Sequence, residues 1–356
     1  MHDAAPRGAV SCFLLKIKIN HLVYTKMAVS IEDIKKLRTM TGAGMMDCKN
    51  ALAETDGDIQ AAIEIIRKKG QAVAAKREDR QAAEGCVLAA AKPGYGAVVA
   101  LKCETDFVAK NESFRALTKK ILDAAMAAEA KTIEEVKALS LGDRTVEESI
   151  TDEIGKTGEK MELGAFECIC APTVAAYEHL GNKLATLVGL SADGIDEFAG
   201  KEVAMQVAAM NPVAVNRESV PEAVVNEEIA VAIDKTKQEQ VQKAVVAALK
   251  KAGINANLVD SEDHIASNIA KGWLTEDEAA KAREIIEKTS AEKAANLPEA
   301  MIQNIANGRL NKFYKESCLM EQEYHRDSKL TIAEYLKTVK DGLVVTEFKR
   351  VNLNAD

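Results

Sequence analysis

Two groups of side chains in this sequence could do chemistry: the thiols, and a charged and aromatic cluster at the exit of an apolar run. The seven cysteines (12, 48, 86, 103, 168, 170 and 318) are scattered and odd in number. That pattern suggests a reducing compartment rather than a disulfide framework. Cys168 and Cys170 stand two apart, but there is no Cys-x-x-Cys and the five histidines are far apart in sequence. Zinc or redox chemistry is a poor fit; two buried thiols on one face of a strand is the better reading. The other cluster is Cys103-Glu104-Thr105-Asp106-Phe107-Val108-Ala109-Lys110-Asn111. It sets Phe107 between Asp106 and Val108 where turn residues would be expected. Taken alone, it reads as a helix cap at Asp106 and a core ring at Phe107. The sequence holds no nucleophile elbow, no phosphate-cradling Gly-x-x-x-x-Gly-Lys and no run of metal ligands. Gly42-Ala43-Gly44 lacks the preceding strand and third glycine of a dinucleotide fingerprint. The chain therefore reads as a protein that acts by contact, without a catalytic residue, a cofactor or a bound metal.

The elements that must position the cluster are legible on either side. Residues 97–103 are apolar and partly β-branched after a Gly-Tyr-Gly turn, a buried strand that pairs with 85–91 in a hairpin through 92–96. Beyond the cluster, Phe114, Leu117, Ile121, Leu122 and Ala125 recur at helical spacing. Upstream, residues 28–70 form a three-helix unit, with Ser30 and Asp33 capping the first helix, a glycine break at Thr41-Gly42-Ala43-Gly44, a second helix over 46–54, and Asp58 capping a third that ends at Gly70. Met45 and Met46 follow the glycine turn, so at least one is expected to face outward as an adaptable contact. Residues 71–81 read as a linker, partly helical.

A weak repeat follows about 85 residues on. Residues 165–171 and 183–190 read as a second strand pair joined through 177–181, and a helix over 197–210 turns Phe198, Val203 and Val207 inward. From 221 to 308 the pattern is almost wholly helical. Val241, Val245 and Leu249 form a stripe ending at Gly253, Thr275 with Glu278 makes a capping box, and Trp273 reads as core between them. A helix over 331–340 and a strand over 343–349 close the chain.

The cluster closely resembles the Thr-Asp-Phe-Val-Ala-Lys-Asn signature of the elongation factor Ts family, the guanine-nucleotide exchange factors of elongation factor Tu. Thr41-Gly42-Ala43-Gly44-Met45-Met46-Asp47-Cys48-Lys49 is similar to that family's amino-terminal motif, and the two stand in the family's order about sixty residues apart. The resemblance implies an α+β fold with an amino-terminal three-helix domain like the ubiquitin-associated fold, two similar α+β core subdomains with antiparallel strands, and a helical hairpin or coiled-coil projection. On that pattern, 1–26 is a non-family extension, 27–70 the three-helix domain, 71–82 a linker, and 83–160 the first core subdomain. Residues 161–220 with 304–356 make the second, and 221–303 the projection, enlarged by a helical insertion near 241–290. Met27 stands where the family usually starts, so an upstream start codon and a disordered or weakly ordered extension are expected. Many members of that family carry a further carboxy-terminal helix, which is not expected in this sequence, and no partner contact of that helix is expected either.

The resemblance also implies function: binding elongation factor Tu in its GDP-bound and nucleotide-free forms, displacing its Mg²⁺ and releasing GDP. Asp106 and Phe107 take the role of the pair pushed into the Tu nucleotide domain, with Thr105 and Val108 shaping the turn. Arg38, Met45 and Met46 match amino-terminal contact positions, and Tyr177 and His179 match the second subdomain's contacts. Composition agrees with a protein that meets proteins. A net charge of −8 argues against phosphate-driven nucleic-acid binding, no apolar run reaches the roughly 20 residues of a membrane helix, and a cytoplasmic location is expected. Self-association through the projection is a further contact left open. The competing readings are a helical adaptor without exchange activity, which gives no reason for the signature, and a thiol enzyme using Cys168 and Cys170.

Overall fold

The computed structural model describes residues 29–353, so the reading of 1–26 lies outside the described part. The chain divides into two compact units, one made of residues up to Ala208 and from Glu347 on, the other Ala209–Thr346. The fold is α+β, with small antiparallel sheets among the helices.

The described part of the first unit begins with three helices, α1 (Ile31–Thr41), α2 (Met45–Glu54) and α3 (Ile59–Lys76). Each start has a local cause. Ser30 accepts from the Asp33 N–H and Asp58 from those of Gln60 and Ala61, while Gly42 stops α1 with φ +69°, a conformation that favours glycine. Ile34, Leu37, Cys48, Leu52, Ala62 and Ile63 form the core of this head.

β1 (Glu84–Lys92) and β2 (Tyr95–Cys103) follow as an antiparallel hairpin. The chain then runs through a single helical turn, α4 (Asp106–Ala109), into α5 (Glu112–Ala128), α6 (Ile133–Ala138), the two-residue strands β3 (Ser140–Leu141) and β4 (Arg144–Thr145), and α7 (Val146–Thr157). β5 (Met161–Ile169) returns beside β2, and β6 (Thr173–Glu178) and β7 (Leu184–Leu190) make a second hairpin before α8 (Glu197–Met210).

β2 is the centre of the packing. Its alternate residues face opposite ways: Ala97, Val99, Leu101 and Cys103 meet Phe114, Ile121 and Ile150 from the helices, while Val98 and Ala100 meet Val174, Ala185 and Leu187 of the second hairpin. With both faces covered, the strand reads as a continuous apolar run rather than an alternating one. α8 covers the far side, where the Thr186 hydroxyl donates to the Ala204 carbonyl at 2.7 Å.

Several expectations are corrected. Gly70 does not end α3, which continues to Lys76 through sequence read as linker. Its lack of a side chain serves a helix crossing instead, because a Cβ on Gly155 of α7 would stand 2.9 Å from the Gly70 Cα. Residues 165–169 pair with β2 and not with 183–190, whose partner is β6. The repeated strand–turn–strand–helix unit therefore starts at Thr173. Phe198 is exposed, not inward. Cys170 lies past the end of β5, exposed, with its Sγ 2.8 Å from the Lys131 Nζ.

In the second unit, α9 (Glu222–Lys251) is one 30-residue helix that carries the Val241, Val245 and Leu249 stripe at its carboxyl-terminal end. It is followed by α10 (Glu262–Ala270), α11 (Glu276–Ala295), α12 (Glu299–Ser317), the strands β8 (Glu323–Tyr324) and β9 (Asp327–Thr331), and α13 (Ile332–Val339). α9 packs against α11 and α12, and Val245, Leu249, Ile265, Leu274, Ala279 and Ala282 form a core within the insertion. Thr275 and Glu278 make the capping box. Trp273 is not in that core: it is 64% exposed in the turn after α10, with the Lys271 Nζ over its ring, while its neighbour Leu274 is buried. β10 (Val345–Asn352) leads back into the first unit beside β7.

The two kinds of helical glycine should behave oppositely. Gly155→Val forces the α3–α7 crossing apart and is expected to destabilise by about 1–3 kcal/mol. Gly308→Ala in α12, where a Cβ meets nothing within 4 Å, should be neutral or stabilising by about 0.5–1 kcal/mol. Denaturation midpoints of the two variants check both signs.

Candidate partner-binding site

The last β2–β5 pair is Cys103 with Met161. Past it the chain must leave the sheet and turn into α4. Thr105 makes that change with extended backbone (φ −123°, ψ 155°) and a hydroxyl that accepts from the Val108 N–H at 3.4 Å. The cap is therefore Thr105 and not Asp106. Successive residues of a helix diverge by about 100°, so one turn can face two ways. Val108 and Ala109 pack against the first core, while Phe107 points to water at 83% exposure. The core reading of Phe107 is overturned. Asn111 then caps α5 by accepting from the Ser113 N–H.

The charges around the turn are ordered. Asp106 accepts from the Lys110 Nζ at 2.6 Å, and that contact holds its carboxyl below the usual range. Glu104 accepts from the Lys160 N–H at 2.7 Å, which with Arg80 and Arg77 keeps its carboxyl low as well. Glu159 accepts from the Thr105 N–H at 3.1 Å and from its hydroxyl at 2.7 Å. Burial pushes the Cys103 thiol up to about 12, which rules it out as a nucleophile at neutral pH.

Asp106 and His179 line a single cleft of about 720 Å³, together with Lys110, Arg115, Leu180 and Asn182. The Tyr177 hydroxyl and the His179 Nδ1 lie 3.0 Å apart at the end of β6. Leu180 at the tip of the same turn is 92% exposed. Arg38, Met45 and Met46 do not line this cleft; they are exposed on α1 and at the start of α2, the two methionines at 52% and 62%. Among the described residues, no group of three or more His, Cys, Asp or Glu side chains could hold a metal ion, and no helix is long and apolar enough to cross a membrane.

A family model described as elongation factor TS matches residues 104–355. Elongation factor Ts of Bacteroides fragilis is 59% identical over 331 residues, which cover 93% of this chain and 100% of that protein. The proteins of the same name from Parabacteroides distasonis and Porphyromonas gingivalis are 57% and 46% identical over the same shares. The chain belongs to the elongation factor Ts family. The family model opens at Glu104, so the exposed ring, its cap, Tyr177 and His179 fall inside the match, while Arg38, Met45 and Met46 precede it.

Sequence reading missed Glu104, Glu159 and Leu180. Leu180 could have been suspected, since an apolar residue stands beside Gly181 and Asn182 in a turn. Glu159 lies 54 positions from Thr105 and only strand pairing joins them.

The Glu104 contact has a pH signature. A carboxyl whose folded pKa is depressed adds stability above its ordinary value of about 4.5 and loses it as pH falls through the folded value. The Lys160 amide proton shift should therefore stay constant on acidification from neutrality and move only below about pH 4.5. Titration followed by NMR checks this.

Proposed function

We propose that this chain binds elongation factor Tu carrying GDP, disturbs the region of its nucleotide domain that holds Mg²⁺, and so promotes GDP release, returning Tu to aminoacyl-tRNA delivery. Family membership supports the coarser half, a translation elongation factor acting as the nucleotide exchange factor of elongation factor Tu rather than as a covalent catalyst. The observation that carries the finer half is Phe107, an aromatic ring kept in water on a one-turn helix braced from beneath.

Magnitudes say what else is needed. GDP held at nanomolar strength represents about 12 kcal/mol, and a thousandfold faster release needs a barrier lowered by about 4 kcal/mol. Burying one Phe contributes about 1.5–3 kcal/mol. The ring alone falls short, so other surfaces must hold the factor against Tu. Arg38, Met45 and Met46 on the head suit that docking, two flexible thioethers offering an adaptable apolar contact. His179, which lines the same cleft as Asp106, and Tyr177, whose hydroxyl lies beside it, suit a second contact with another Tu domain. The metal is the partner's own: losing it removes the main charge that compensates the phosphates, and the Asp106 carboxylate adds negative charge beside the ring. This reading places the protein in the cytoplasm.

Phe107→Ala should fold normally, because the ring contributes little to its own core. Its maximal rate of fluorescent GDP release from elongation factor Tu should fall about 10- to 100-fold, the value of one buried ring. Met45→Ala with Met46→Ala should chiefly raise the concentration needed for half-maximal release. A wild-type rate from Phe107→Ala sinks the wedge assignment.

A further inference from the structure

Two carboxylates cross between the loop after β2 and the loop before β5. Glu104 reaches over to the Lys160 N–H, and Glu159 reaches back to the Thr105 N–H. The register explains their place. Since Cys103 and Met161 are the last paired residues, 104–105 and 159–160 are the next positions along the same ladder. Had the ladder continued, only alternate residues of each strand would have faced the other, so these two N–H groups could not both have met carbonyls across it. The chain cannot continue the ladder, because Thr105 must turn away to open α4. A side-chain carboxylate supplies an acceptor to each of the two N–H groups, and a charged acceptor binds roughly twice as strongly as a neutral one.

Glu159 does more than satisfy the backbone. Its second oxygen takes the Thr105 hydroxyl proton at 2.7 Å, which leaves the oxygen's lone pairs to accept the Val108 N–H. The relay runs from α4 through the Thr105 side chain to Glu159, and Phe107 lies within the turn so fixed. A hydroxyl free to rotate could serve other acceptors and let one short turn fray, since four residues make a helix with no cooperativity of their own. Glu159 itself sits beyond Gly158, which closes α7 with φ +72°. It is therefore anchored to a long helix packed on the first core, not to another mobile turn.

We propose that Glu159 is a positioning residue for exchange: it locks the Thr105 rotamer so that α4 presents Phe107 in its inserting orientation before the partner arrives. The inference rests on the reading of Phe107 given above. Its effect belongs to the insertion step. Docking is carried by the head and by the β6–β7 turn, which Glu159 does not touch. Pre-ordering the ring removes the loss of freedom that a mobile turn would suffer on insertion.

The test uses the full-length protein and release of fluorescent GDP from elongation factor Tu, with maximal rate and half-saturating concentration measured separately. Glu159→Gln keeps the size but offers one acceptor where two are needed. It should lower the maximal rate about tenfold, the worth of one charged hydrogen bond at the low end, with half-saturation changed less than about twofold. Thr105→Val, which deletes the hydroxyl from the other side, should give the same split, and Thr105→Ser, which keeps it, should restore the wild-type rate. In a Phe107→Ala background Glu159→Gln should add nothing, because both act through one ring. A wild-type rate from Glu159→Gln beside a slow Phe107→Ala overturns this proposal alone. So does an equal further loss in the Phe107→Ala background, or a shift confined to half-saturation. A wild-type rate from Phe107→Ala itself overturns the wedge reading, and this proposal with it.

Discussion

A phenyl ring held in water is the constraint that orders the first unit of this protein. Left to itself, a ring on a short flexible turn would fold back onto the nearest apolar surface, since burying it is worth about 1.5–3 kcal/mol. Phe107 stays 83% exposed because its neighbours commit the backbone elsewhere. Val108 and Ala109 are packed against the first core, Thr105 is tied to Glu159, and Asn111 has already begun α5. With both ends of one turn fixed, the ring has no path inward. The exposure is a consequence of the fold, produced by bonds to residues on either side of it.

That arrangement needs a frame which does not yield, and β2 provides it. A strand covered on one face by helices and on the other by a second hairpin cannot shift register without moving two sets of contacts at once. Its carboxyl-terminal end at Cys103 is thereby a fixed point, and the loop that leaves it inherits the fixity. The carboxylates of Glu104 and Glu159 extend it by two further residues, over the stretch where backbone pairing has to stop. Cys103 belongs to the frame as well: its thiol is buried and donates to the Thr105 carbonyl at 3.3 Å.

How much of this could be read from the sequence depended on distance along the chain. The hairpin of β1 and β2, the stripe of α5 and the caps at Ser30, Asp58 and Thr275 rest on residues a few positions apart, and each is present. The partner of residues 165–169 is decided by β2, some sixty residues earlier, and the local pattern pointed to the wrong neighbour. Trp273 was misjudged, and the stretch around Phe107 taken without its wider context pointed to core as well, for a common reason. Apolar character favours burial on average, but the backbone around a turn decides where one ring points. Gly70 shows the converse. Its type suggested a helix end, whereas its use is contact with Gly155, which no local rule encodes.

Under the proposed function, the same glycine pair bears on how one molecule combines docking with prying. A helix crossing in which one Cβ would already collide leaves little room for the head to slide on α7. Arg67 of α3 reaches Asp143 at 3.4 Å beside it, and Lys156 of α7 packs its stem under Gly42 at the turn between α1 and α2. The head is thus seated on α7, whose carboxyl end leads through Gly158 to Glu159 and the braced turn. On the proposed reading, a partner gripped by Met45 and Met46 meets Phe107 at a separation set by a single helix of twelve residues. Two weak contacts held at a fixed spacing act as one strong contact, because the second forms at high effective concentration once the first is made. Under the same reading, a loosely tethered head would keep its affinity for the partner yet lose this coupling, so the close helix crossing would serve the wedge as well as stability.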